Sequence, residues 1–256
     1  MPEQAPPTSG PGYLMRGMRM WITSPRLMVL GAFPALIVGA VYVVAFTLFA
    51  VNIDAVAVAA TPFAEGWADG LAQAVRFAVG VALMAAAVIV SMVTFVGVTL
   101  AVGDPFYERI AQAVEARLGG APPAIEEPRR TSVQRAIVVA IRFAGLTALI
   151  GLLIFAAGLV PVAGPFLSPM LGVVGGGSIL ALETSGFAFD ARRVSFRDRR
   201  RMLARRRAVT LGFGILTYIL FLIPLGAIVI MPAAVAGATM LARDSFTVQN
   251  GAVSAS

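Results

Sequence analysis

Between Arg142 and Glu183 the chain reads FAGLTALIGLLIFAAGLVPVAGPFLSPMLGVVGGGSILAL (143–182), forty residues without one charge. As a single straight helix it would run about 60 Å, twice the hydrocarbon core of a bilayer. It breaks at its middle, at Leu159-Val160-Pro161. Arg129, Arg130, Arg135 and Arg142 precede it, and nine arginines between Arg192 and Arg207 follow it. Lys and Arg collect on the cytoplasmic side of membrane segments. Both ends are therefore cytoplasmic, and the stretch enters the membrane and returns. A second charge-free run, Ala208–Ala242, lies between Arg207 and Arg243 and breaks at Leu222-Ile223-Pro224. Each run has another proline eight positions on, Pro169 and Pro232, and Pro161 and Pro224 are 63 apart, as are Arg142 and Arg205. The pattern predicts an internal repeat of two helical hairpins inserted from one face.

Two more charge-free stretches, Leu27–Ile53 and Phe77–Gly103, lie upstream. Together the four take up 129 of the 256 residues, so all 33 charges fall in the remaining half. The chain is 59% apolar and 13% charged, with a mean hydropathy of +0.87, where a soluble domain carries about 25% charge. The reading is an all-α integral membrane protein. It has two long spans, about 27–51 and 77–102, two proline-broken hairpins, about 143–182 and 208–242, and cytoplasmic amphipathic helices. Sixteen residues before Pro224 reach about 24 Å and eighteen before Pro161 about 27 Å. Both fall short of a core of about 30 Å, so half-penetrating hairpins are expected.

Outside the spans, residues 1–12 are rich in Pro and Gly and read as a disordered tail without the build of a cleaved signal peptide. Tyr13–Trp21 reads as an interfacial helix, Asn52–Arg76 as an acidic external loop, and Phe106–Leu118 as an amphipathic helix closed by Gly119-Gly120. A single membrane domain covers 13–244, followed by a tail at 245–256. Arg16, Arg19 and Arg26 place the N-terminus in the cytoplasm, and the C-terminus lies there too.

The missing residue types exclude much chemistry. There is no Cys, no His and no Lys. Thiol and imidazole catalysis, thiolate or imidazole metal sites, the Walker-A lysine and Schiff-base cofactors all drop out. No enzyme activity and no cofactor is expected. The twenty bases are all Arg, so the net charge of +7 does not titrate near neutral pH.

Three segments carry a resemblance. One is Asp104-Pro-Phe-Tyr-Glu-Arg-Ile-Ala-Gln-Ala-Val-Glu-Ala-Arg-Leu118. Another is Phe189-Asp190-Ala-Arg-Arg-Val-Ser-Phe196 with the Arg-rich helix after it. The third is Leu222-Ile-Pro-Leu through Ile230-Met-Pro232 to Thr239. In order and spacing, from about 13 to 244, the chain resembles the CysZ-type sulfate permease family, which includes the etoposide-induced membrane proteins. The resemblance implies two long spans plus two half-penetrating hairpins, a homo-oligomer in the bacterial plasma membrane, and sulfate passing into the cytoplasm. It also implies a sulfate site at a Gly-(Leu/Ile)-Arg-(Arg/Lys) run before the proline of the first span. Here those positions hold Arg26-Leu27-Met28-Val29, without the glycine or the second arginine. Gly186 stands where the family usually has an acid.

The candidate residues follow. Ser24, Arg26 and Leu27 sit where a helix start, its dipole and one guanidinium converge, which suffices for a small anion. A capped helix with Arg26 snorkelling to lipid phosphate is the other reading. Pro161 and Pro224 mark hairpin tips that would line a pore, and Glu183 and Arg142 flank the first hairpin as coupling candidates. Arg192, Arg193, Arg197, Arg199, Arg200, Arg201, Arg205, Arg206 and Arg207 read as a topology anchor on anionic headgroups. A funnel for anions is the alternative. Nucleic acid is not expected, since no aromatic-interleaved basic domain accompanies the run. Two functions compete: passage of a small oxyanion, sulfate foremost, or a non-transporting membrane scaffold that engages lipids or partners through the Arg-rich helix.

Overall fold

The computed structural model describes residues 9–120, 129–223 and 225–254. Every regular element among them is helical: α1 (Gly10–Ile22), α2 (Pro25–Val51), α3 (Ile53–Ala60), α4 (Asp69–Arg117), α5 (Arg129–Gly158), α6 (Gly164–Thr184), α7 (Gly186–Asp190), α8 (Phe196–Arg205), α9 (Arg207–Phe221) and α10 (Gly226–Ser254), with a short 3-10 turn at Pro62–Ala64. Among the described residues, five helices are long and apolar enough to cross a membrane: α2, α4, α5 from Ile137, α6, and α10 as far as Phe246. The chain is an all-α membrane protein. It divides into two compact units, one holding residues 1–31 and 105–256 and the other residues 32–104.

In the smaller unit, the apolar side chains face outward, as in a helix pair bathed in lipid; Val51, Phe77 and Met92 are more than 70% exposed. Polar groups there bond locally instead. The Tyr42 hydroxyl of α2 donates to Thr94 Oγ1 of α4 at 2.8 Å, and Thr94 in turn donates to the Val90 carbonyl at 2.6 Å. The Tyr42 ring also meets Phe95 edge-on, 5.4 Å between centroids.

The larger unit is held by close helix crossings at small residues. A Cβ on Gly17 of α1 would lie 2.2 Å from the Ala233 carbonyl of α10, and one on Gly214 of α9 would lie 2.0 Å from the Gly177 carbonyl of α6. Backbone approach of this kind substitutes for the hydrophobic drive that lipid does not supply. The glycines at 172–177 thus serve packing, with Gly176 against the Tyr218 ring and Gly177 against α9. Around the crossings lie Tyr13, Leu14, Phe213 and the Ala233–Ala236 turn, all buried.

Several boundaries differ from the sequence reading. The second span and the amphipathic helix after it are one helix of 49 residues that runs through Pro105. Proline removes one donor and kinks a helix. It does not end this one because Tyr107, Ile110, Ala111 and Val114, one face at helical spacing, are buried and hold the segment in register. α1 starts at Gly10, inside the predicted tail, with Pro11 in its first turn and Gly10 pressed against the Val209 carbonyl. The α3 helix occupies the apolar stretch 53–60 of what read as a loop.

Candidate functional site

The first turns of α2 and the last turns of α4 face each other within the larger unit. Between them is a cavity of about 780 Å³ lined by Pro25, Arg26, Val29 and Leu30 on one side and Arg109, Gln112, Ala113 and Ala116 on the other. Both sets follow the i, i+3, i+4 rule, so each is one helix face. Two arginines and one glutamine thereby share a lining that is otherwise aliphatic. Arg109 also lies over the Phe106 ring at 5.7 Å, and Gln112 Nε2 donates to Glu108 Oε1 at 3.3 Å.

Of the three residues read as an anion site, only Arg26 lines this cavity. Ser24 is buried, and its Oγ accepts from Arg117 Nη1, which ties the start of α2 to the end of α4. Leu27 is fully buried, and its carbonyl accepts from the Trp21 indole at 3.0 Å. Its position one step round the helix from Arg26 turns its side chain into the core.

A neighbouring face of the α4 terminus carries a carboxylate clamp. Glu115 is 2% exposed. Arg192 grips both of its oxygens, at 2.6 and 2.9 Å, and Arg243 Nη1 reaches Oε2 at 2.6 Å. Arg243 also donates to the carbonyls of Leu118 at 2.7 Å and Gly120 at 3.0 Å, taking up acceptors that the helix end leaves open. Arg192 stacks on Phe246 at 5.0 Å. The clamp joins α4, the segment after α7 and α10, and it fixes the helix that presents Arg109 and Gln112.

A second cluster fastens α1. The Tyr13 hydroxyl donates to Asp244 Oδ2 at 2.6 Å and accepts from Arg206 Nη1 at 3.1 Å, with the Arg206 guanidinium 5.6 Å above the ring. Burial, reinforced by the bond to Asp244, pushes the Tyr13 phenol up to about 12. A raised pKa stabilises the fold fully below the unfolded value of about 10 and ceases to do so as pH climbs through the folded value. Stability is therefore expected to be level from neutrality to about pH 10, then to fall by about 2 kcal/mol towards pH 12 on this account. Tyr13→Phe should be less stable at neutral pH and lack that component of the alkaline loss, as thermal unfolding in detergent across pH will read.

The nine arginines of 192–207 split by orientation. Arg192, Arg199 and Arg206, seven apart, turn inward: Arg192 to Glu115, Arg206 to Tyr13, and Arg199, 1% exposed, to Asp190 and the face of Phe189 at 5.7 Å. These three are structural ion-pair partners, which corrects their reading as surface anchors. Gly186 leaves room for Arg199, since a Cβ there would sit 2.9 Å from Nη1. Arg193, Arg197, Arg200, Arg201, Arg205 and Arg207 stand exposed.

At the first hairpin, Pro161 lies in the exposed turn between α5 and α6, and the next residue, Val162, has φ +66° and is 87% exposed. Pro224 lies outside the described residues. Leu225 after it has φ +62°, so the left-handed position recurs 63 residues on, as the repeat requires. Glu183 and Arg142 are both exposed, on α6 and α5.

The comparison with known families matches residues 13–232, which is 220 of the 256 positions, to the family described as sulfate transporter CysZ/etoposide-induced protein 2.4. The chain belongs to the CysZ/etoposide-induced protein 2.4 family. Membership makes it a sulfate-transporter-like membrane protein, multi-pass by its apolar helices. The stretch matched to the CysZ family holds both walls of the cavity, the α5–α6 hairpin and all of α9.

Arg109, Gln112, Glu115, Arg117 and Arg243 escaped the sequence reading. Glu115 was detectable, because an acid on the buried face that carries Ile110, Ala111 and Val114 needs a basic partner. Its two partners lie 77 and 128 residues away, a distance that no local pattern spans.

Proposed function

We propose that this protein moves a small inorganic oxyanion, sulfate foremost, across the membrane into the cytoplasm. The cavity between α2 and α4 is its capture site. The observation that carries this reading is that Arg26 and Arg109, from two helices, line one mostly aliphatic cavity. The second arginine missing from the first span is supplied by another helix. Guanidiniums present forked donors to oxyanions, and an apolar wall strengthens their attraction by lowering the local dielectric.

Beyond the capture site, the α5–α6 and α9–α10 hairpins form the route. α9 has 15 residues, about 22 Å, too short to cross about 30 Å of hydrocarbon. A half-penetrating α9–α10 hairpin follows, with the left-handed turn at Leu225 inside the membrane. Backbone at that depth needs protein or water around it, which several copies of the chain together provide. Arg142 and Glu183 flank this route as coupling candidates.

Radiolabelled sulfate uptake into proteoliposomes tests the reading, wild type beside Arg26→Ala, with phosphate and selenate as competitors. Wild type is expected to take up sulfate. Arg26→Ala, folded and inserted, should lose about 10-fold or more at subsaturating sulfate, the worth of a charged hydrogen bond. Folded, inserted wild type that carries no oxyanion overturns it. The Arg-rich segment would then be the working part of a non-transporting membrane protein.

A further inference from the structure

We infer that the outward face of α8 is a docking surface for anionic phospholipid headgroups of the membrane in which the protein sits. This inference is independent of whether sulfate moves. Arg197, Arg200, Arg201 and Arg205 follow i, i+3, i+4, i+8 spacing and form one stripe of exposed guanidiniums, flanked by exposed Arg193 and Arg207. The stripe cannot turn inward. Phe196, Arg199, Met202 and Leu203 are buried on the other side of the helix, and Arg199 is locked to Asp190.

Position along the chain sets the stripe's depth. Only Arg206 separates α8 from α9, whose residues from Ala208 to Phe221 carry no charge. A helix that dips into hydrocarbon within a turn of α8 leaves α8 in the headgroup layer. The Arg206 bond to Tyr13 holds the corner between them. Six cations there meet a single exposed acid of α8, Asp198, which already accepts from the Ser195 hydroxyl and faces Arg201 at 3.7 Å.

The chemistry favours lipid over the other polyanion. The one aromatic residue of α8, Phe196, is buried against Phe143 at 5.2 Å, so the stripe offers no ring on which a base could stack. A phosphodiester headgroup needs only charge and forked donors, and the stripe has both.

The test uses the full-length protein in nanodiscs of phosphatidylcholine mixed with phosphatidylglycerol, with retained lipids counted by native mass spectrometry. Wild type should retain phosphatidylglycerol about five-fold over its bulk share, the factor of one arginine–headgroup attraction. Arg197→Gln/Arg200→Gln/Arg201→Gln/Arg205→Gln should fall to the bulk share, and the matching four-fold Lys variant should keep most of the enrichment. If the four-fold Gln variant does not fold, Arg200→Gln/Arg201→Gln should show an intermediate loss. Sulfate should displace no more lipid than chloride of equal ionic strength. Wild-type retention at the bulk share, an undiminished Gln variant, specific displacement by sulfate, or capture of single-stranded RNA in place of lipid would each overturn the inference.

Discussion

Glu115→Ala is expected to destabilise the protein by about 3–5 kcal/mol, the usual cost of removing one partner from a buried charge network. The side chain is 3% exposed, and those of Arg192 and Arg243 are 21% and 26% exposed. Truncation would leave two mostly desolvated guanidiniums facing each other across an empty site. Arg243 would keep its bonds to the Leu118 and Gly120 carbonyls, so the helix end would not be wholly released. Glu115→Gln keeps the shape and some of the hydrogen bonds but not the charge, and should fall between alanine and wild type. Thermal unfolding in one detergent will rank the three, and an alanine variant that melts with the wild type would remove the clamp from the account of this fold. Because the clamp orients the helix that carries Arg109, the Gln variant should also bind sulfate more weakly while remaining folded. Charge pairing then affects function through geometry, since Glu115 itself lies outside the cavity wall.

The sequence was legible where physics acts locally. Charge-free runs and their proline breaks are consequences of bilayer thickness and backbone donors, and they anticipated the helix breaks between α5 and α6 and between α9 and α10 but not the left-handed Val162 and Leu225. It was less legible where direction matters. Nine arginines in sixteen residues look uniform when counted, yet every seventh one points into the protein. Only Arg199 of the inward three lies on α8, with Arg192 in the turn before it and Arg206 at the break after it, so the chain's path and not one helix face sets their direction. Leu27 is similar, since adjacency to Arg26 says nothing about which side of the helix its buried side chain occupies. The boundary between the second span and the Phe106–Leu118 helix was misread in the other direction, because the buried face from Tyr107 to Val114 carries α4 through Pro105.

For the cavity itself, Arg109→Ala is expected to weaken sulfate binding about as much as Arg26→Ala, each by about 10–100-fold. The two residues come from helices 83 positions apart in sequence and share one cavity wall each. If both guanidiniums hold one dianion, their contributions are coupled. Once one is gone, the anion shifts towards the other and loses less when that is removed as well. The double variant should then fall short of the product of the single losses by a coupling of about 0.5–3 kcal/mol, as groups sharing a partner do. Equilibrium binding of radiolabelled sulfate to the purified wild type, both single variants and the double variant closes the cycle. Losses that add to within about 0.5 kcal/mol would mean the arginines act on separate anions. Arg109→Lys is the informative partner substitution. It keeps the charge but gives up the planar fork, so it should recover only part of the affinity if recognition is bidentate. Full recovery would show that this cavity attracts sulfate by charge alone. The aliphatic residues Val29, Leu30, Ala113 and Ala116 would then set selectivity through the space they leave.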